Sequence, residues 1–223
     1  MVASPLDIPV GDTGSVSGLL LLPEKARVLY VLAHGAGAGM RHPFLERMAG
    51  VLVERGVATL RYQFLYMERK QHRPDPPALA VAAVRAAVAA AGRAAPGLPL
   101  IAGGKSFGGR MTSTAQSQAP LPGVLGLAFL GFPLHPPGKP NVSRADHLEQ
   151  VEVPMLFMQG DRDQFAEPIL LRQVLRKLGA RATLHVVKDG DHSFGVPKRG
   201  GRTPELVQAE LADTLVRWWE KVA

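Results

Sequence analysis

The sequence predicts an α/β fold built on a central, largely parallel sheet, and three observations predict it. Apolar, β-rich runs alternate with helix-patterned segments along almost the whole chain. The runs are nearly continuous in apolar residues rather than alternating, as strands are when helices cover both faces of a sheet. Finally, 223 residues of which 46% are hydrophobic and 20% charged suit one compact domain over residues 1–223 with a substantial core.

Taken in order, LDIPV and VSGLLLL flank the turn GDTGS and read as an antiparallel hairpin at a sheet edge. The inner strands are expected at VLYVLAH (28–34), VATLRY (57–62), LPLIAG (98–103), VLGLAFL (124–130), PMLFM (154–158) and ATLHVV (182–187). Between them, residues 43–55 align Leu45, Met48 and Leu52 on one helical face, and the alanine-rich stretch 77–95 aligns Leu79, Val81, Val84 and Val88. Residues 167–178 do the same with Leu170 or Leu171, Val174, Leu175 and Leu178. The last helix starts at Thr203 as N-cap with Pro204 at its first position, and turns Val207, Leu211, Leu215 and Trp218 inward. Residues 131–153 break the alternation with a Pro-rich excursion, and loops of that length inside a domain tend to be functional.

Composition removes several chemistries. With no cysteine, disulfides, thiolate metal sites and a Cys nucleophile are all excluded. The seven histidines fall in no close metal-binding spacing, so neither a metal nor any other cofactor is expected. The net charge of +7 is scattered, its densest cluster being RKQHR at 69–73, and only 6% of residues are aromatic, so no nucleic-acid partner is expected. No apolar run is read as approaching the roughly 20 residues that span a bilayer, and the N-terminus lacks a basic or apolar leader pattern, so the expected location is the cytoplasm.

The stretch LPLIAGGKSFGGR, residues 98–110, admits two chemistries. A phosphate loop GxxxxGK[ST] needs a glycine where this chain has Pro99, and Leu100, Ile101 and Ala102 belong to the strand, which leaves no loop to curl around an anion. The pattern G-x-S-x-G is complete in Gly104-Lys105-Ser106-Phe107-Gly108, between a strand and helix-compatible sequence. In that arrangement Ser106 is a nucleophile at a strained, sharp turn.

A serine hydroxyl needs a base to take its proton, and the base needs a carboxylate to hold its tautomer. His192, in DHSF after the last strand, is the expected base. Two acids compete in QGDRDQF: Asp161 directly follows Gly160 and suits a turn-shaping bond, whereas Asp163 lies further out over the sheet end and is preferred. The oxyanion donors are expected to be the backbone N–H of Phe107 and, from the Gly-rich loop AHGAGAGMRHP (33–43), that of Ala36, with Gly37 as substitute.

These segments, HGAGAG, LRYQFLYMERK, GGKSFGGR, GFPLHPPGKP, GDRD and GDHSF, resemble the α/β-hydrolase superfamily, its dienelactone-hydrolase-related serine branch and, within it, the testis-expressed-protein-type α/β-hydrolase-like family. The resemblance spans roughly residues 28–220. It implies the α/β-hydrolase fold, a mostly parallel sheet of about eight strands with little or no lid, and catalysis by Ser106, His192 and Asp163, the last matching the final position of the family's G-x-x-D. It also implies that Arg61, Tyr66 and Glu68 are family-typical. Leu65 stands where a proline is expected, and no Cys occupies the nucleophile position of dienelactone hydrolases proper, so their substrate is not implied.

Arg61, Tyr66 and His135 are the candidate substrate contacts, while Lys105, Arg61, Lys139 and Arg144 read either as converging on an anionic substrate or as solvated surface charges. The expected function is a serine hydrolase that cleaves a small-molecule carboxylic ester or thioester through an acyl-enzyme, as a monomer or homodimer. The alternative is a catalytically weak interaction module on the same fold.

Overall fold

The computed structural model of the protein describes residues 2–197 and 200–223. Among them, eight strands form one sheet in the order β1-β2-β4-β3-β5-β6-β7-β8. β1 (Ser4–Pro9) and β2 (Ser15–Leu21) are the antiparallel hairpin, joined through a 3-10 turn at Gly11–Thr13, and β2 pairs antiparallel with β4 (Val57–Tyr62). From there β3 (Val28–Ala33), β5 (Leu100–Lys105), β6 (Val124–Leu130), β7 (Met155–Gly160) and β8 (Ala182–Val187) continue the sheet in parallel. Every residue of β3, β4 and β7 is buried; β3 reads as an unbroken apolar run, and in β4 and β7 the buried polar residues are Thr59, Arg61 and Gln159. β8 is the far edge and is only partly covered, with Val186 39% exposed.

Two apolar layers sandwich the sheet. On one face α1 (Pro43–Val53) and α6 (Pro204–Val222) bury Leu45, Met48 and Leu52 together with Val207, Leu211, Leu215 and Trp218. On the other, α3 (Pro77–Ala94), α4 (Phe107–Gln118) and α5 (Pro168–Leu178) pack against Leu29, Val31, Phe129 and Phe157; the short α2 (Leu65–Glu68) precedes α3. Thr203 caps α6, its hydroxyl accepting the Leu206 N–H at 3.3 Å.

Three expectations are corrected. α3, 18 residues long, does have the length and composition to cross a membrane, because its alanines are apolar as well as helix-favouring. Here Ala80, Val84, Ala87 and Val88 are all buried in the core, so its apolar stripe is used against the rest of the protein. β5 runs two residues past its expected end, through Gly104 and Lys105, which pair with Phe129 and Leu130, while Gly104 also pairs with Ala33 on the other side. The 131–153 excursion is core rather than site: Phe132, Leu134, Ala145 and Leu148 are buried, and a 3-10 helix at Ser143–Gln150 packs on α4 and α5.

Chain order reverses at the centre, β4 lying on one side of β3 and β5 on the other. The connections leaving β3 and β5 therefore diverge and open a crevice beyond their carboxyl ends, where open parallel sheets bind ligands.

Candidate active site

Ser106 occupies that crevice. It links β5 to α4 with φ 49° and ψ −113°, a strained backbone for a residue with a Cβ, and its N–H donates to Leu130 O at 3.1 Å. The flanking glycines make the turn possible. A Cβ on Gly104 would lie 2.2 Å from the Ala33 carbonyl oxygen, and one on Gly108 would lie 2.5 Å from that of His34, so only glycine lets α4 descend onto β3. The Lys105 ammonium donates to the His192 carbonyl at 2.6 Å.

From the loop after β8, His192 Nε2 reaches Ser106 Oγ at 2.9 Å, and its Nδ1 reaches Asp163 Oδ2 at 2.7 Å. An ionised carboxylate only accepts, so Nδ1 carries the proton and Nε2 is left to accept from the hydroxyl. Burial, above all, holds the imidazole below its ordinary titration range; the Asp163 hydrogen bond opposes this and the nearby Lys105 ammonium adds to it. Phe165 packs on the ring, centroids 4.2 Å apart.

Of the two acids, Asp163 is the one at the histidine. It is 2% exposed, and besides His192 it accepts from Gln159 Nε2 at 2.5 Å and from the Phe165 N–H at 2.8 Å. Asp161 starts the turn two residues earlier, with Oδ1 buried and, among the described residues, without a hydrogen-bond partner. Gln159 also accepts the Phe132 N–H at 2.9 Å, locking its amide, and Asp191 Oδ1 accepts the Ser193 and Gly195 N–H groups, each at 2.8 Å, to shape the histidine loop. Both supporting residues were overlooked in the sequence, although each adjoins a motif that was read.

The Gly-rich loop after β3 faces Ser106. Among the described residues the Ala36 N–H has no protein acceptor, and Phe107, as the first residue of α4, has no intrahelical one. Gly37 is excluded as a substitute because its N–H donates to Tyr66 Oη at 2.8 Å. The rest of the loop is held by the segment after β4: Gln63 Oε1 accepts the Met40 N–H at 2.8 Å, Arg61 Nη1 donates to Met40 O at 3.0 Å, and His34 Nε2 accepts the Phe64 N–H at 3.2 Å. His34 is fully buried, donates through Nδ1 to Gly35 O at 2.7 Å, and is pushed down to about 4 by burial, so it is neutral.

The three candidate substrate contacts are not in the cleft. Arg61 and Tyr66 are buried beneath the Gly-rich loop and hold it, as just described. His135 is fully buried under the 131–153 excursion, 2.8 Å from Glu167 Oε2 but off the hydrogen-bonding direction, and bonded through Nδ1 to Pro136 O at 2.8 Å. Lys139 and Arg144 are likewise absent from the cleft, so the charges do not converge there. The cleft itself has a volume of about 560 Å³ and is walled by Phe44, Leu45, Phe165, Phe194 and Val207, with Ser106, His192 and Ala36 at one end and Arg47 and Gln208 at another part of its lining. Among the described residues no group of three or more His, Asp or Glu side chains is placed to hold an ion.

A strained serine on a strand-to-helix turn, bonded to a histidine that follows the last strand, is also a family pattern, and the family model for the alpha/beta hydrolase domain matches residues 26–220. The chain belongs to the alpha/beta hydrolase family. Among solved structures, this hydrolase resembles a dienelactone hydrolase from Anabaena variabilis with a TM-score of 0.79 and 20% identity, over 99% of this chain and 97% of that one. It also resembles a lidless serine hydrolase from Xanthomonas campestris (TM-score 0.75, 21% identity, 98% and 95% covered). A serine hydrolase homologue from Coxiella burnetii is comparably similar (TM-score 0.75, 20% identity, 97% of each chain). At these identities the likeness is one of fold, and it extends over the hairpin edge as well as the parallel strands.

Proposed function

We propose that this hydrolase cleaves carboxylic esters or thioesters of small molecules through an acyl-enzyme formed on Ser106. His192 takes the hydroxyl proton as Oγ attacks the acyl carbon, and Asp163 holds the imidazole in the tautomer that allows it and stabilises the imidazolium. The tetrahedral oxyanion is received by the N–H groups of Ala36 and Phe107. His192 then returns the proton to the departing alcohol or thiol, and a water repeats the sequence to release the acid.

The observation that carries this reading is the bonded series Ser106 Oγ, His192 and Asp163 opening onto an apolar cleft. The cleft walls favour an apolar acyl or leaving group. The test pairs a fluorophosphonate probe, with mass detection of the adduct, with a panel of p-nitrophenyl esters of graded chain length and acyl-CoA thioesters. Labelling confined to Ser106, and turnover reduced on the order of a million-fold in Ser106→Ala, are expected. Near-normal turnover in that variant would reject the assignment, and a probe that never labels the wild-type protein would favour an interaction module instead.

A further inference from the structure

Lys105 lies in the cleft lining beside Ser106, yet its side chain is already engaged. Its Nζ donates to the backbone carbonyl of His192 at 2.6 Å and lies 5.8 Å from the centroid of the Phe194 ring. Gly131, just past β6 with φ 70°, makes the room: a Cβ there would come within 3.0 Å of Nζ and 3.2 Å of the His192 carbonyl oxygen. The remaining bonds shaping the histidine loop are largely local, from Asp191 to Ser193 and Gly195. The lysine bond is different because it ties that loop to β5, the strand that delivers Ser106.

We propose that Lys105 is a positioning residue for His192: its ammonium fixes the histidine's own carbonyl relative to the Ser106 turn and sets a positive charge beside the imidazole. This rests on the reading of His192 as general base. Two consequences follow from the same contact. The tie limits the drift of the imidazole away from Oγ, where misplacement by about 1 Å can cost on the order of a hundred-fold in rate. The charge disfavours the imidazolium in the free enzyme and so extends the active range toward acid.

The charged groups facing the imidazole are Asp163 from the turn after β7, Asp191 from the same loop and Lys105 from β5; the two carboxylates favour protonation and the ammonium opposes it. Asp163 and Asp191 also face Lys105 and support its charge against burial, which pushes it down to about 8. Lys105 is therefore protonated throughout the range in which His192 titrates.

Lys105→Met removes both the donor and the charge, whereas Lys105→Gln keeps a donor without the charge. Steady-state kinetics on p-nitrophenyl acetate across the acid limb would be combined with NMR titration of the His192 ring protons, the latter in a Ser106→Ala background. Lys105→Met is expected to lower kcat by about 10- to 100-fold with KM within about two-fold, and Lys105→Gln to recover most of that kcat. Both are expected to move the acid limb and the NMR midpoint to higher pH. An unmoved midpoint in either folded variant, or an unchanged kcat in folded Lys105→Met, overturns the proposal; if Lys105→Met does not fold, Lys105→Gln and its midpoint decide it. The NMR arm needs no turnover, so activity that proves independent of Ser106 would sink the functional reading while leaving this one to be judged on its own.

Discussion

Tyr66 Oη accepts the Gly37 N–H at 2.8 Å, and that bond withdraws Gly37 from the loop amides open to an oxyanion. With Gly37 committed, the preceding Ala36 N–H, beside Ser106 in the cleft lining, has no protein acceptor among the described residues. Tyr66 is itself held, its N–H donating to buried Asp75 at 3.0 Å. Tyr66→Phe keeps the ring and removes the acceptor. It is expected to lower kcat about ten-fold while leaving KM nearly unchanged, because the loosened loop serves the transition state and not the ground state. A folded Tyr66→Phe protein with wild-type kcat would show that the loop needs no such anchor.

Asp163→Asn and Asp161→Asn separate the two acids that share one turn. Asn at 163 can offer Nδ2–H to His192 Nδ1 and so stabilise the wrong tautomer, for which a loss of about 10⁴ in kcat is expected. Asp161 touches neither His192 nor Ser106, and its replacement is expected to leave kcat within about three-fold. Parallel kinetics on the two variants check the assignment, and a reversed order of effects would move the acid to Asp161.

These pairs also mark how far the sequence could be read. The inner strands were legible because burial on both faces leaves continuous apolar runs, as in VLYVLA and MLFM, although β7 runs on through Gln159 and Gly160 beyond its expected end at Met158. The end of β5 was not, because Gly104 and Lys105 open the G-x-S-x-G pattern and read as the turn, yet they are strand residues paired with Phe129 and Leu130. Ser106 and His192 stood in motifs whose local chemistry has few other uses. The role of Tyr66 was illegible for a different reason: its bond to Gly37 joins loops 29 residues apart, and a tyrosine after a strand looks the same whether its hydroxyl meets a substrate or a backbone amide. Arg61 near the end of β4 and His135 in a loop misled likewise, since a polar residue close to a strand end does not announce that it is buried.

One buried and one half-buried histidine give stability a sign with pH. His34 and His147 are both pushed down to about 4, chiefly by burial, against an ordinary value near 6.5. In the window between those values the unfolded chain binds more protons than the folded one, so stability falls as pH is lowered through it. His34, with no exposure, is expected to contribute about 3 kcal/mol of that loss. Urea unfolding at stepped pH checks this, and a stability that stays level from neutral to mildly acid conditions would contradict the two neutral histidines.

Cleft shape should set acyl length. Val207 on α6 lines the cleft, as do the Phe44 and Phe194 rings, which stack with centroids 5.8 Å apart. Val207→Phe would project a ring into the space beyond Ser106 without touching the bonds of Ser106, His192 or Asp163. A short acetyl ester, which needs only the space next to Oγ, is expected to keep kcat/KM within about three-fold. Longer acyl esters must displace the new ring or lose the burial of several methylenes, each worth about 0.8 kcal/mol, so two lost methylenes already amount to more than ten-fold. The chain-length profile of p-nitrophenyl esters in the two proteins measures this, and a profile that falls equally at every length would mean that the acyl chain leaves the serine in another direction.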